Sequence, residues 1–311
     1  MAGIMTTQGY PDLLDLRMEE IKDGVMAQVE DKVSTFYTEK TPVQLTNRGS
    51  SMVPMNGTWQ AFNGSLTSAY DSPEQGYAWQ FDNIEYAKAT QIERALLEFS
   101  NNEVINEKFR GLIDTGVKFN QSQAAAIFNN AFSVDTSFNY ANDEALALCS
   151  ASHTTTRTDV STASGFSNYS TALLSPTALR ADYATIRKFR DLAANQIGNH
   201  QATALVIPVD HKLRAEEIMK TMKGLDAATG NYNVLQDRFQ IIDWIFITST
   251  SNWFLVNLEM MKRNCYHYVK VKPEYARIEE FETIVAKYRG YMFHSYGRTA
   301  VWQYMLGHEV S

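Results

Sequence analysis

Apolar residues recur at helical spacing in several stretches of the chain. Over 12–37, Leu13, Leu16, Ile21, Val25, Val29, Val33 and Phe36 share one face, while Glu19, Glu20, Lys22, Asp23, Glu30, Asp31 and Lys32 fall between them. That is an amphipathic helix, either in the core or in a terminal arm laid on a neighbour, and spacing leaves both open. Residues 87–98 (AKATQIERALLE) also read as helix. They lead into a long helix over 102–130 with the stripe Ile105, Phe109, Leu112, Val117, Ala124, Ile127 and Phe128, and with Gly111 and Gly116 as weak points. Ser175-Pro176 opens another, Ser as the cap and Pro at the first helical position. Its face is Leu179, Tyr183, Ile186, Phe189 and Ile197, with a stop at Gly198-Asn199, and 211–222 reads as one more helix.

The remaining periodicity is that of strands and turns. Between Thr46 and Tyr86, Gly49, Gly57, Gly64, Gly76, Pro54 and Pro73 punctuate the chain, with Trp59, Phe62, Tyr70, Tyr77 and Trp79 scattered among them. Tyr77, Trp79 and Phe81 alternate with Ala78 and Gln80 as a strand does. Such an aromatic excursion buries itself poorly, so it either folds back on its own core or reaches a partner. Residues 154–171 form a loop by composition and 224–231 a flexible one. Strands are expected at 204–209, 239–244, 253–258, 266–272, 278–287, 289–296 and 299–306, with Gly297-Arg298 as a tight turn before the last. Helices first, then mixed elements, then long antiparallel strands make an α+β layout.

Composition narrows the function. A chain of 311 residues with 44% hydrophobic and 20% charged residues folds rather than staying disordered. A formal net charge of −7 gives no counterion-release drive toward nucleic acid, which argues against gripping DNA but not against enclosing it. Two cysteines, Cys149 and Cys265, supply no disulfide framework and read as buried reduced thiols. The polar start of the chain, with Asp12 and Asp15, shows no signal-peptide pattern, and runs such as 241–248 are too short to span a bilayer; the expectation is a soluble intracellular product.

Chemistry is sparse. There is no phosphate-binding loop, dinucleotide fingerprint, hydrolase elbow or zincin helix. Cys149 and His153 are spaced like two metal ligands, but no second pair follows, so no metal site is expected. Asp210-His211 is more simply a helix cap than a dyad, and Glu216-Glu217 and Glu279-Glu280 are solvated faces. Lys262, Arg263, Lys270 and Lys272 near Tyr266 and Tyr268 form a strand with one wet face rather than a nucleic-acid platform. No catalytic, cofactor-binding or metal residue is assigned.

A series of phrases carries a resemblance. QGYAWQFDNIEYAKATQIER (75–94), AAAIFNNAFS (124–133), DEALALCSASHT (143–154), SNYSTALLSPTALRADYATIRKFRD (167–191), ALVIPVDHK (204–212), NVLQDRFQIID (233–243) and NWFLV (252–256) follow one another in order. Together they resemble tailed-bacteriophage major capsid proteins of the Mu-like major head subunit family, over roughly 70–311. The resemblance implies the fold named for the phage Hong Kong 97. Its parts would be an N-terminal arm (1–45), an extended β-hairpin loop (46–86), a peripheral domain with the spine helix (87–172), an axial domain (173–262), and peripheral strands with a C-terminal return (263–311).

The same resemblance implies a subunit, not an enzyme, that assembles with itself into hexamers and pentamers of an icosahedral head. That head would enclose double-stranded DNA without sequence-specific binding and without a membrane, in a virion made in a bacterial cytoplasm. Trp59, Phe62, Tyr70, Tyr77 and Trp79 are the expected contacts between subunits. Partners implied are a separate scaffolding protein, a portal and cement proteins; no long charged scaffolding segment precedes the arm-like helix. Some members lock their shells by a lysine–asparagine isopeptide bond from the hairpin. No lysine lies between Lys40 and Lys88, so none is expected here. Competing readings are a cellular nanocompartment shell, an α+β enzyme with a dispersed, motif-free site, and a monomeric binding module.

Overall fold

The computed structural model describes residues 20–25, 30–55, 59, 61, 74–93, 102–136, 138, 143–221, 232–280 and 285–310. Its elements in chain order begin with α1 (Val33–Phe36), β1 (Thr38–Lys40), β2 (Thr46–Met52), β3 (Gln75–Asp82), β4 (Ile84–Glu93) and α2 (Asn102–Asn129). Then come β5 (Tyr169–Ser170), α3 (Pro176–Ile186), β6 (Ala204–Ile207), α4 (Lys212–Lys220), β7 (Gln240–Asp243) and β8 (Trp253–Val256). The last are α5 (Leu258–Asn264), β9 (Cys265–Glu280), β10 (Val285–Arg298) and β11 (Met305–His308).

Two sheets carry the architecture. A long sheet runs β1-β9-β10-β4, and a five-stranded sheet runs β5-β11-β8-β6-β7, while β2 and β3 pair only with each other. Helix α2 joins the two sheets. At about 1.5 Å per residue its 28 residues span about 42 Å. Near its start it buries Phe109, Leu112 and Ile113 with Ile92 and Tyr288 of the long sheet. Toward its end Ala124, Ala125, Ile127 and Phe128 enter the main core with Trp244 and Phe254. Asn129 fastens that end, donating from Nδ2 to the Phe246 carbonyl and accepting from the Thr248 N–H. The side chain of Ile105 lies outside the described residues.

The amphipathic stretch at the start packs on its own chain. Ile21 and Val25, on a helical turn over 20–25, rest against the Phe109–Ile113 cluster. Val33 and Phe36 enter the main core, where the Phe36 ring stacks on Trp244 at 5.4 Å and meets Phe128 edge-on at 5.1 Å. Burying one such ring contributes about 2–3 kcal/mol. Leu13, Leu16 and Val29 lie outside the described residues.

Several expectations are corrected. The strands expected at 266–272 and 278–287 are not separate: β9 runs unbroken to Glu280, and Val285 already belongs to its antiparallel partner β10. Residues 84–93 form strand β4, not the start of a helix, because β4 pairs with β10 along its whole length from Ile84↔His294 to Val285↔Glu93. Ala, Lys and Gln favour helix locally, but a complete ladder overrides that preference. Helix α3 is capped by Ser175 with Pro176 at its first turn, yet ends at Ile186 rather than near 198. The Asp191 carboxylate accepts from the Ala193 and Asn195 N–H groups, and this turn competes with helix continuation. Gly297 and Arg298 are strand residues of β10 paired with Tyr266 and Cys265. Finally, 299–304 is not strand; β11 follows and crosses into the five-stranded sheet beside β8.

Candidate functional site

The β2–β3 hairpin is fastened at its root by residues from three parts of the chain. Asn83 is buried and donates from Nδ2 to the Gln44 and Leu45 carbonyls, at 2.9 and 3.0 Å. Its own backbone N–H also bonds the Leu45 carbonyl, while its Oδ1 accepts from Ser295 Oγ of β10 at 2.7 Å. One side chain thus ties both hairpin legs to the long sheet. Phe81 is fully buried beside it, stacked on Trp79 at 5.5 Å and tilted against Tyr268 at 5.4 Å. Its ring occupies the space over Gly297, where a Cβ would stand 2.3 Å from it, so glycine is required there by close approach and not by a turn.

Farther out, the hairpin lies along its own chain. Ala78 N–H donates to Asp143, Tyr77 and Thr154 share a hydroxyl–hydroxyl bond of 2.6 Å, and Asn195 Nδ2 donates to the Met55 carbonyl. Val53 closes a small cluster with Leu192 and Ala193. The opposite character appears along its edge: Val43, Leu45, Met52, Met55 and Trp59 are exposed, Val43 and Trp59 each at 95%. A run of unburied large apolar side chains on a well-rooted element is the mark of a surface made to be covered.

Of the five aromatics singled out from sequence, three are described. Trp59 projects into solvent, while Tyr77 and Trp79 are half-buried, Tyr77 bonded to Thr154 of the body and Trp79 stacked on Phe81 within the hairpin. Phe62 and Tyr70 lie outside the described residues. Sequence reasoning did not single out Asn83, Ser295 or Gly297, whose roles depend on partners far along the chain.

Two concavities flank this region. A groove of about 440 Å³ at the hairpin root is lined by Lys40, Val43, Arg48, Trp79 and Tyr268, among others, and Lys40 Nζ sits 3.5 Å over the Tyr266 ring. A second cavity, about 450 Å³, separates α2 from the long sheet. Leu112, Gly116 and Phe119 of the helix face Tyr86, Tyr275 and Met292 of the sheet across it.

Polar groups inside the body are structural. The His153 ring stacks on Trp302 at 4.2 Å, with Nδ1 3.0 Å from Glu144 and Nε2 2.9 Å from Asn168 Oδ1. The Asn168 amide donates to the Leu148 and Met305 carbonyls and so joins the loop to β11. His308 stacks on Trp253 at 3.5 Å and lies 3.0 Å from Asp182, and Arg298 lies 3.3 Å from Asp135. In the long sheet His267 and His294 meet at 3.4 Å, and burial holds their pKa values down, to about 3 and about 4. Cys149 is buried away from any ligand set, and among the described residues no three His, Cys, Asp or Glu side chains group as a metal site would require. Asp210 sits in a 3-10 turn and the cap position of α4 is His211, so Asp210 is not that helix's cap.

A spine helix bridging two sheets, with a long hairpin rooted on one of them, is the architecture of a Hong Kong 97-like capsid subunit. Solved structures share it. The bacteriophage PhiM1 mature capsid is similar at 8% identity, over 91% of this chain and 88% of that one, with a TM-score of 0.59. The capsid of a native GTA particle is similar at 11% identity, over 91% and 92%, with a TM-score of 0.56. A virus-like particle from Pyrococcus furiosus is similar at 10% identity, over 94% and 98%, with a TM-score of 0.50. No curated protein matches the chain by sequence. Residues 83–302 match the family described as phage capsid protein, and the chain belongs to that family. It is a structural subunit of the virion shell that assembles with copies of itself, and not an enzyme.

Proposed function

We propose that this chain builds the icosahedral head of a tailed phage as hexamers and pentamers enclosing double-stranded DNA. Membership of the capsid family supports this reading, and the exposed apolar edge of the hairpin carries it to the level of residues. Head-to-tail contacts that close into rings need one surface of a subunit to cover a different surface of the next. Trp59 belongs to the covering surface, and on sequence grounds Phe62 and Tyr70 join it. Trp79 near the root and Tyr77 farther out serve it by fixing the direction of the hairpin. The arm is 1–45, the hairpin 46–86, the peripheral part 87–172 with 263–311, and the axial part 173–262. The resemblance of the ordered phrases between 75 and 256 supports the Mu-like branch.

Assembly would take place in the bacterial cytoplasm with a separate scaffolding protein, a portal and cement proteins. The net charge of −7 suits a wall that encloses DNA without gripping it. Sedimentation and negative-stain microscopy of the purified protein, alone and co-expressed with the neighbouring genes, test the proposal. Rings, tubes or shells are expected, and a strict monomer under both conditions would overturn it. The fold shared with the Pyrococcus furiosus particle keeps a nanocompartment shell as the second reading. Nuclease-resistant DNA inside particles recovered from an infected or induced host separates the two.

A further inference from the structure

We infer that Trp59 of one copy seats in the cavity between α2 and the long sheet of the next copy. The inference rests on the shell reading and names the surface that receives the hairpin. The cavity is kept open by construction. Tyr275 stands between Gly116 of α2 and Gly290 of β10, and a Cβ on either glycine would come within 3.0 Å of its side chain. The ring therefore props helix and sheet apart, and the space beside it stays free.

That space, about 450 Å³, is walled by Leu112, Phe119, Tyr86 and Met292. It is of the size that receives a small organic group, with a mostly apolar wall and few polar groups. Glu85 and Lys88 also border it. An indole matches the apolar wall, since its faces are apolar. The Lys88 side chain leaves β4 on the same face as Tyr86, so its ammonium can lie over the ring, whereas Glu85 points to the other face of the sheet, where it bonds Tyr291.

The chain's own Trp59 does not fill this space, being 95% exposed. Among the described residues it is also the only tryptophan in the set of exposed large apolar side chains. A protruding aromatic and an open cavity, on different elements of one chain, form the two halves of a head-to-tail contact. Met52 and Met55, both exposed, would cover the rim once the ring is seated.

The test uses the full chain assembled into shells. Single variants W59C and T115C are mixed, assembled and treated with a short bismaleimide; Thr115 is an exposed α2 residue bordering the cavity. Both native cysteines are buried and should not compete. A covalent dimer is expected from the W59C and T115C mixture. None is expected from W59C mixed with V209C, whose site is exposed elsewhere on the body. Shells without the W59C–T115C dimer, or with equal dimer from V209C, would overturn the inference and leave the shell reading standing. Failure of the unsubstituted chain to assemble in any condition would overturn both. If W59C alone blocks assembly, it is used as the minority subunit in shells of T115C, with the same outcomes.

Discussion

His267 and His294 meet ring to ring within the long sheet, one stacked on Tyr296 at 4.3 Å and the other tilted against Tyr86 at 5.3 Å. Burial is the first cause of both lowered pKa values, and for His267 the neighbouring His294 and Lys272 lower it further. The unfolded rings titrate near 6.5, so below that pH the unfolded chain binds protons that the folded chain refuses. Stability is therefore greatest above about pH 6.5 and falls as pH drops from there toward 4. At pH 5 each ring costs about 1.4 kcal/mol for each of the 1.5 pH units below its unfolded value, roughly 2 kcal/mol. That figure hardly depends on the folded values, because both lie well below pH 5. His294, at 3% exposure, carries its full share, and the pair together reaches at most about 4 kcal/mol.

The assay is urea unfolding of unassembled subunit, followed by circular dichroism at pH 8, 7, 6 and 5, for the unsubstituted chain and the H267Q/H294Q double variant. The variant should lose roughly 2–4 kcal/mol less than the parent between pH 8 and pH 5. Comparison with the variant cancels every carboxylate and the other histidines. Identical pH dependence in the two proteins would refute the argument. A greater loss in the variant would show that the pair is protonated and stabilising in the fold, the reverse of the sign that burial dictates.

The hairpin root should be sensitive to one methyl group: Gly297→Ala places a Cβ 2.3 Å from the Phe81 ring and should destabilise by about 1–3 kcal/mol in thermal or urea melts, with no change if Phe81 does not pack there. His308→Ala removes a fully buried ring stacked on Trp253 and should destabilise by about 2–5 kcal/mol, whereas a change below about 1 kcal/mol would show that the stack is dispensable. Burial raises the thiol of Cys265 to about 12 and that of Cys149 further, so neither should react with a disulfide reagent at pH 8 until the protein is unfolded. Shells boiled in detergent should run as the monomer band, because the hairpin offers no lysine between Lys40 and Lys88; a ladder of higher bands would contradict this.

What could be read from the sequence was what short stretches decide by themselves. The Ala124–Phe128 end of the spine helix, the Ser175-Pro176 start of α3 and the alternation of Tyr77, Trp79 and Phe81 each carry their signal within a few residues. Strand β4 is not legible locally, because AKATQIER favours helix until β10, some two hundred residues later in the chain, supplies a ladder along its whole length. Gly297 is opaque for the same reason: locally it resembles a turn, and only the arrival of Phe81 shows why no side chain fits there. The site divides along the same line. Trp59 is legible because an aromatic in a turn-rich excursion has little local burial available. Asn83 is not, since its meaning lies in Ser295, 212 residues away, and in Gln44 and Leu45 on the other hairpin leg. The phrases that carry the family resemblance include the members of one such network, Glu144 and His153 in one and Asn168 in the next. A buried polar group admits few substitutes once its partners are fixed, so those phrases are distinctive even though no reaction depends on them. A capsid subunit can therefore declare itself through its internal fastenings while the surface that does its work stays plain in sequence.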